Sequence, residues 1–282
     1  TLKRFDELDV NKLRTIYGKI RKNVIEPITI RRTRTDLENI SEYKADLAEQ
    51  GIKFPKVEPP KKVEYIMDEK LNMLFHKTVF YLTDEDKLKY SRYQAIAGLN
   101  LEIQNKYYEN AETVSKSLAF IMKTQLVKRL ESSFYAFKKS LGNFQQATDR
   151  MITMFENDKI FIAPDTNVNK LLDKGWSEED IEKEIERLSE ENPKNQTFKK
   201  SDFKPDFIDN LKKDSRLLKE LVKEWNAITN DPKLDVFIKE LTKQFLNKKT
   251  NVEGKLVIFS ESKDTVDYVA KALTDAGRKD VL

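Results

Sequence analysis

The longest regular pattern in the sequence is helical, and it runs from Ala111 to about Glu156. Apolar side chains recur along it at the three- and four-residue spacing of one helix face. They are Val114, Leu118, Ile121, Met122, Leu126, Leu130, Phe137, Leu141 and Phe144. Gly142 is a candidate interruption. A chain that commits so much of its length to amphipathic helix is expected to fold as packed helices.

Shorter helical patterns flank this run. They cover about residues 5–25, 69–101, 176–192, 211–228, 231–245 and 263–276. Pro27 ends the first, Ser177 suits the N-cap of the acidic third, and Gly277 follows the last. Asp231 is expected to cap a helix that has Pro232 at its first position. With 7 Gly, 8 Pro and 35% charged residues, this composition favours long solvated helices.

Three short segments predict strands. Residues 61–67, KKVEYIM, alternate between two faces and follow a proline-bounded connector, and residues 159–164, KIFIAP, form a short apolar run. Residues 255–260, KLVIFS, are continuously apolar, which is typical of a strand buried on both faces of a parallel sheet. The polar stretch 192–205 is the best candidate for a linker. We therefore predict a mainly α (α+β) fold that ends in a β-α unit.

Composition excludes several classes of site. The chain has no cysteine and a single histidine, His76, so disulfides, thiolate metal sites and histidine clusters are excluded. The net charge of +4 is too balanced to indicate nucleic-acid binding, so any such surface must be local. No apolar run is long enough to span a bilayer, which predicts a cytoplasmic protein without a membrane partner. Because the sequence starts at Thr1 and ends on a strand-like GRKDVL, we expect a fragment of a longer chain.

Three phrases, in order, resemble SWI2/SNF2-type ATPases of helicase superfamily 2, in the bacterial RapA-like branch. Residues 27–37 and 54–70, PITIRRTRTDL and FPKVEPPKKVEYIMDEK, are similar to the segment that leaves the first RecA-like lobe. Residues 125–141, QLVKRLESSFYAFKKSL, are similar to a helical element of that branch. Residues 231–241 and 254–273 resemble the run-in to the second lobe, with KLVIFS as helicase motif IV.

This resemblance implies three regions. Residues 1–67 would be the tail of the first RecA-like lobe and a connector. Residues 68–204 would be a helical insertion, and residues 205–282 would be the run-in and the first β-α unit of the second lobe. The parent protein would be an ATP-dependent helicase or translocase that uses ATP and Mg. It would act on nucleic acid, most simply double-stranded DNA, and the missing RecA-like lobes would be further partners of this segment.

The groups needed for ATP hydrolysis are not found in the sequence. No G-x-x-x-x-G-K-[ST] phosphate loop occurs, since Gly18-Lys19 and Gly254-Lys255 lack the upstream glycine and the following hydroxyl. YIMDEKL imitates a DExx box, but it follows no phosphate loop, and the arginine-finger motif of the second lobe would lie beyond Leu282. We therefore assign no catalytic, cofactor-binding or metal-binding residue, and expect no ATP hydrolysis from this segment alone.

Three arginines within residues 27–37 are candidates for contact with backbone phosphates. Arg31, Arg32 and Arg34 carry guanidinium groups, which bind phosphate oxygens bidentately and stay charged at any working pH. The alternative is that one of them pairs with a carboxylate of the lobe while the others are solvated. Phosphate contacts of this kind position a nucleic acid without reading its sequence.

A second basic cluster lies in the long helical run. It contains Lys123, Lys128, Arg129, Lys138 and Lys139 against one acid, Glu131. Lys128 and Arg129 are its candidates for nucleic-acid contact, with Ser132 and Ser133 as further donors. The favoured alternative is that Arg129 pairs with an acidic helix such as 178–191, and that the serines permit close helix packing.

Ser260 and Ser262 follow the predicted strand at its carboxyl end, where open α/β sheets place their ligands. A contact with the nucleic-acid backbone is implied there by the resemblance, while capping of the next helix by Ser262 explains the residues equally well. Nearby aromatic residues suit either base stacking or, at helical spacing, the core. They are Tyr90, Tyr93, Tyr107, Tyr108, Phe134 and Tyr135.

Two other functions remain open from the sequence. The alternative is a helical protein–protein interaction module, in which long charged helices bind a partner and nucleic acid is irrelevant. A coiled-coil structural protein is the third possibility, against which the KLVIFS segment argues, because a lone buried strand has no place in a bundle.

Overall fold

The computed structural model describes residues 10–29, 33–54, 57–163, 184, 187–188, 191–260 and 262–278. The chain divides into two compact units, Thr1–Lys62 and Val63–Leu282. The boundary lies in the connector that follows the proline pair, which the sequence marks as a stiff segment.

The first unit is built from short helices. Helix α1 spans Val10–Ile20 and continues as a π-helical turn, Arg21–Ile25, which confirms the predicted first helix. Helices α2 and α3 span Arg34–Asn39 and Ser41–Glu49, and neither contains a buried residue. Thr33 caps α2 in a reciprocal box: its hydroxyl accepts from the Asp36 amide at 3.2 Å, and the Asp36 carboxylate accepts from the Thr33 amide at 2.7 Å.

The second unit contains eight described helices and one small sheet. The helices are α4 Glu69–Thr83, α5 Ala95–Gly98, α6 Leu101–Tyr107, α7 Ala111–Ser132, α8 Phe134–Glu156, α9 Phe207–Asn226, α10 Pro232–Glu240 and α11 Lys263–Asp275. Strands β1, Ile160–Ile162, and β2, Gln196–Phe198, pair antiparallel with Ile160 opposite Phe198. The prediction of a mainly α fold is confirmed.

The long helical run is broken at Ser133. This residue is extended, with φ −158° and ψ 128°, and its hydroxyl accepts from the Ala136 amide at 3.3 Å as the N-cap of α8. The expectation that Gly142 interrupts the run was wrong, because Gly142 lies within α8. The break lets α7 and α8 pack against each other, so the apolar stripe that looked continuous belongs to two helices.

The main core lies between α4, α7, α8 and α9. Its centre is the fully buried Trp225, whose ring centroid lies 5.2 Å from those of Phe134 and Phe137. A second core packs beneath β1 and β2 around Phe155, Ile160 and Phe198. Tyr90, Tyr93, Tyr107, Tyr108 and Phe134 belong to or pack against these cores, which favours the packing interpretation of the aromatic residues.

Two sets of polar contacts fix α9 to its neighbours in the main core. Lys77 on α4 donates to Glu220 and Glu224 on α9 at 2.6 and 2.7 Å. Partial burial opposes the charge of Lys77, but these two hydrogen bonds outweigh it and raise the pKa of the ammonium group. Asp214 on α9 is almost fully buried and accepts from the amides of Lys89 and Ser91, both at 2.7 Å.

Several predicted elements differ from those observed. The predicted helix 69–101 ends at Thr83, after which Tyr90 takes a left-handed conformation at φ 55°. The strand predicted at 61–67 pairs with no described strand; its alternation instead lays Tyr65 and Met67 against the main core. The predicted linker 192–205 contains β2 and the buried Phe198 and Phe203, while the predicted strand at 159–164 is confirmed as β1.

The KLVIFS segment is not a buried strand, contrary to the prediction. Within the described residues, positions 255–260 belong to no helix or strand, and Phe259 is 91% exposed. Val257 is also largely exposed. A continuous apolar run is buried only when neighbouring strands and helices cover both faces, and the described part of the chain supplies no such cover. The helix that follows, α11, does form as predicted, and Gly277 past its end has φ 86°.

Candidate nucleic-acid interface

Helix α11 begins against the corner where α7 meets α8, and an ion-pair cluster joins them there. Asp264, in the first turn of α11, accepts from Arg129 of α7 at 3.1 Å and from Lys139 of α8 at 2.7 Å. The side chains of Arg129, Lys139 and Asp264 are 34%, 53% and 24% exposed. One carboxylate therefore serves two cations at a site that solvent still reaches.

The electrostatics of this cluster follow from its hydrogen bonds. The bond from Lys139, reinforced by that from Arg129, lowers the pKa of the Asp264 carboxyl below its ordinary value. The same bond raises the pKa of Lys139. Both directions favour the charged forms of Asp264 and Lys139.

A pair of tyrosines forms the second contact between α11 and α8. The rings of Tyr135 and Tyr268 stack with centroids 4.7 Å apart and planes 5° apart. The Tyr268 hydroxyl donates to Asp231 at 3.1 Å, and the other carboxylate oxygen of Asp231 accepts from the Leu234 amide as the predicted cap of α10. Burial, with Asp231 nearby, raises the pKa of Tyr268. Asp231 thus links the starts of α10 and α11.

Lysines hold the end of α7 and the chain before α10. Lys233 donates to the carbonyls of Glu131 and Ser132 at 2.8 and 2.9 Å, where the last carbonyls of a helix lack partners within it. Lys138 donates to the carbonyl of Ile228. Burial lowers the pKa of both lysines. Their ammonium groups are thus engaged by backbone carbonyls of the protein itself.

We call this group of contacts the junction, defined by Arg129, Tyr135, Lys139, Asp231, Asp264 and Tyr268. Two hydroxyls lie beside it at the start of α11. Ser262 and Thr265 are more than nine-tenths buried, and neither hydroxyl has a partner among the described residues. Ser262 occupies the N-cap position but accepts no cap bond; its amide donates to the Ser260 hydroxyl at 3.3 Å instead. Ser262 is therefore the N-cap residue of α11, as predicted, but it does not make the predicted capping hydrogen bond.

The predicted site residues fall into separate places. Arg129 and Ser262 are brought together, because Ser262 precedes the helix whose Asp264 binds Arg129. Lys128 is exposed one position away, and Ser260 lies just before α11. Arg34 belongs to the first unit, where its guanidinium lies over the Phe54 ring at 5.0 Å. Arg31 and Arg32 lie outside the described residues.

Arg129 pairs with a carboxylate, as expected, but this carboxylate is not in the predicted acidic helix 178–191. The predicted acidic helix lies mostly outside the described residues, and the observed partner is Asp264. Sequence reasoning missed Asp264 and Tyr268. The only signal for Asp264 was an acid in a first helical turn, which is common at any helix start, and nothing in the spacing linked it to residue 129.

The two Gly-Lys pairs do not form phosphate loops. Gly18 lies in the last turn of α1, and Gly254 follows a turn and has φ 64°, just before the exposed 256–259 segment. The described residues hold no group of three or more metal-ligating acids or histidines. No chemical step is therefore assigned to ATP or Mg at the two Gly-Lys pairs. None of the helices in the described ranges is long and apolar enough to cross a membrane.

Comparison with known proteins gives no relative for this chain. No family model matches it, and no match was found among curated proteins or among solved structures. What the junction does must therefore be argued from its own residues.

Proposed function

We propose that this chain is part of a cytoplasmic, ATP-dependent DNA translocase of the SWI2/SNF2 type. In that setting it joins two ATP-binding lobes and contributes contacts to the nucleic-acid backbone, while ATP and Mg are bound by the lobes of the parent protein. The ordered resemblance of three sequence phrases supports this proposal. The observation that carries it is the junction, where the second and third of those phrases touch through Arg129 and Asp264.

The chemistry of the junction suits a phosphate backbone. A guanidinium and two ammonium groups, from Arg129, Lys128 and Lys139, lie within one stretch around the α7–α8 corner and remain accessible to solvent. Such groups bind phosphate through charge and position a duplex without reading its bases. Binding should therefore be independent of sequence and weaken steeply as salt is added, because counterions are released from the duplex.

The test is a binding titration of the whole chain with a labelled duplex of random sequence, measured by fluorescence anisotropy. We expect binding at low salt that weakens steeply with added salt. The double variant Lys128→Gln/Arg129→Gln should lower the slope of log affinity against log salt by about two. Circular dichroism checks that the variant remains helical.

A matched control lies on the same helix. Lys116→Gln removes one charge about 20 Å along α7, given the rise of an α-helix, where Lys116 pairs with Glu112. Its salt slope should match that of the wild type. If the wild-type chain shows no affinity for duplex even in low salt, the proposal fails.

One observation favours the second candidate, a helical protein–protein interaction module. Helix α7 exposes the large apolar side chains Val114, Leu118, Phe120 and Ile121 along its first half. An exposed apolar stripe of this kind is typical of protein-binding surfaces. The two candidates separate in the same titration, because a module of this type should not bind duplex in low salt.

A further inference from the structure

Helix α11 buries few of its side chains fully. Thr265 and Leu273 are buried, Tyr268, Val269, Ala270 and Ala272 are half-buried, and Val266 is exposed. By contrast, α9 buries seven residues, among them Trp225 and Leu218. A helix that buries so little apolar surface depends on the other bonds that fix it in place.

Those bonds converge on the junction. Asp264 binds Arg129 and Lys139, and Tyr268 stacks on Tyr135 while donating to Asp231. A partly exposed ion pair contributes only about 0–1 kcal/mol, so each of these contacts can be broken without unfolding the core. They also act together, since all are made by the first two turns of α11.

The carboxylate of Asp264 occupies the place where an external anion would bind. It accepts from both cations at once, as a phosphate oxygen pair would. A phosphate that bound the same two cations would bring negative charge against Asp264, and like charges at this distance repel. Phosphate and Asp264 therefore compete for Arg129 and Lys139.

We propose that Asp264 is an internal competitor for this basic pair, so that a phosphate-bearing polyanion displaces it and releases α11 from the α7–α8 corner. For a duplex as the polyanion, this rests on the proposed function. Binding of the polyanion and release of α11 are then coupled. A change that opens the junction raises the affinity for the polyanion, and the polyanion favours the open junction by the same coupling free energy.

The experiment uses the full chain with two spin labels. Because the sequence has no cysteine, Asn143→Cys on α8 and Thr274→Cys on α11 can be labelled selectively, and both positions are exposed. Pulsed electron–electron double resonance then measures the distance between the two labels, with and without a 20-base-pair duplex at fixed ionic strength. We expect one narrow distribution without duplex and a longer, broader one with it.

Single variants test the role of Asp264 separately from the role of the cations that it binds. Asp264→Asn should open the junction without duplex and bind duplex about five-fold more tightly or better, a coupling at the low end of typical values. Lys139→Gln should weaken the contact with α11 but add no affinity, because it removes a cation as well. Asp275→Asn removes the same charge from the exposed end of α11 and should behave as the wild type.

The outcomes distinguish this proposal from the proposed function. If duplex binds while the distance and the affinity of Asp264→Asn stay at wild-type values, the competition is disproved and duplex binding stands. If neither the wild type nor Asp264→Asn binds duplex, both proposals fail. Binding by Asp264→Asn alone would show that the duplex cannot displace Asp264 from the wild-type junction, and it would overturn both proposals as stated.

Discussion

The indole Nε1 of Trp225 donates a hydrogen bond to the Thr78 hydroxyl at 2.8 Å, and both side chains are fully buried. The same hydroxyl donates to the Leu74 carbonyl at 2.7 Å. Thr78 therefore satisfies the one polar atom of the largest side chain in the core. This bond joins α4 to α9 at the centre of the second unit.

Replacing Thr78 by valine should leave the indole N–H of Trp225 buried without an acceptor. Valine keeps the shape of threonine, so the loss is mainly the cost of an unsatisfied donor, about 1–3 kcal/mol in the free energy of unfolding. Urea unfolding followed by tryptophan fluorescence measures it. Thr83→Val is the control, because Thr83 makes the same bond to its own helix but is exposed; equal effects of the two changes would refute the assignment.

Two glycines should respond to alanine in opposite directions. A Cβ at Gly98 would lie 2.3 Å from the Phe207 ring, whereas a Cβ at Gly142 meets nothing within 4 Å. Gly98→Ala should destabilise the chain by about 1–3 kcal/mol through overpacking. Gly142→Ala should stabilise it by about 0.5–1 kcal/mol, because alanine is the better helix former.

A double variant tests the cause of the Gly98 effect. With Phe207→Ala already present, Gly98→Ala should cost less than it does alone, since the ring that it meets is gone. Thermal or urea unfolding of the four proteins completes this cycle. Additive effects would show that Phe207 is not the source of the strain.

The buried Asp214 carboxyl predicts a specific dependence of stability on pH. Burial raises its pKa above the ordinary value of 3.8, although the amides of Ser91 and Lys89 act in the other direction. The folded state therefore holds this proton more tightly than the unfolded state does. Its contribution to the free energy of unfolding is greatest below about pH 3.8 and is lost as the pH rises through the raised pKa.

Asp214→Asn should remove this dependence and also lose an acceptor for a backbone amide, at about 1–3 kcal/mol. The measurement is the difference in unfolding free energy between wild type and variant from about pH 3 to pH 7, which should grow smaller as the pH rises. Asp209→Asn, on the exposed side of the same helix, should show no such trend. A difference that grows with pH would mean that the carboxylate is stabilised in the fold.

The exposure of the KLVIFS segment can be tested with two phenylalanines. Phe259 is exposed and Phe203 is 5% exposed in the second core. Phe259→Ala should change the free energy of unfolding by less than about 0.5 kcal/mol, and Phe203→Ala should lower it by about 3–5 kcal/mol. Similar losses for both would indicate that residues 255–260 are buried after all.

Local signals predicted the starts and ends of several helices correctly. Asp231 with Pro232, Pro27 and Gly277 each act through their own backbone and near neighbours. The break at Ser133 was missed because a serine is compatible with a helix interior, and only the packing of α7 on α8 favours the turn. Likewise, an apolar run says that a segment can be buried and does not say what covers it, so the exposure of 255–260 was not predictable.

Some features of the junction were likewise predictable from the sequence, and others were not. The basic cluster around Arg129 and the serines before α11 could be read from residue types, because charge and hydroxyl groups belong to the side chains themselves. Asp264 lies 135 positions after Arg129 and 125 positions after Lys139, so their contact depends on how the chain between them folds. The sequence by itself determined where several helices start and end, through contacts within a few residues. The tertiary structure alone decided which charges meet, since a pairing between distant residues depends on the packing of every helix between them.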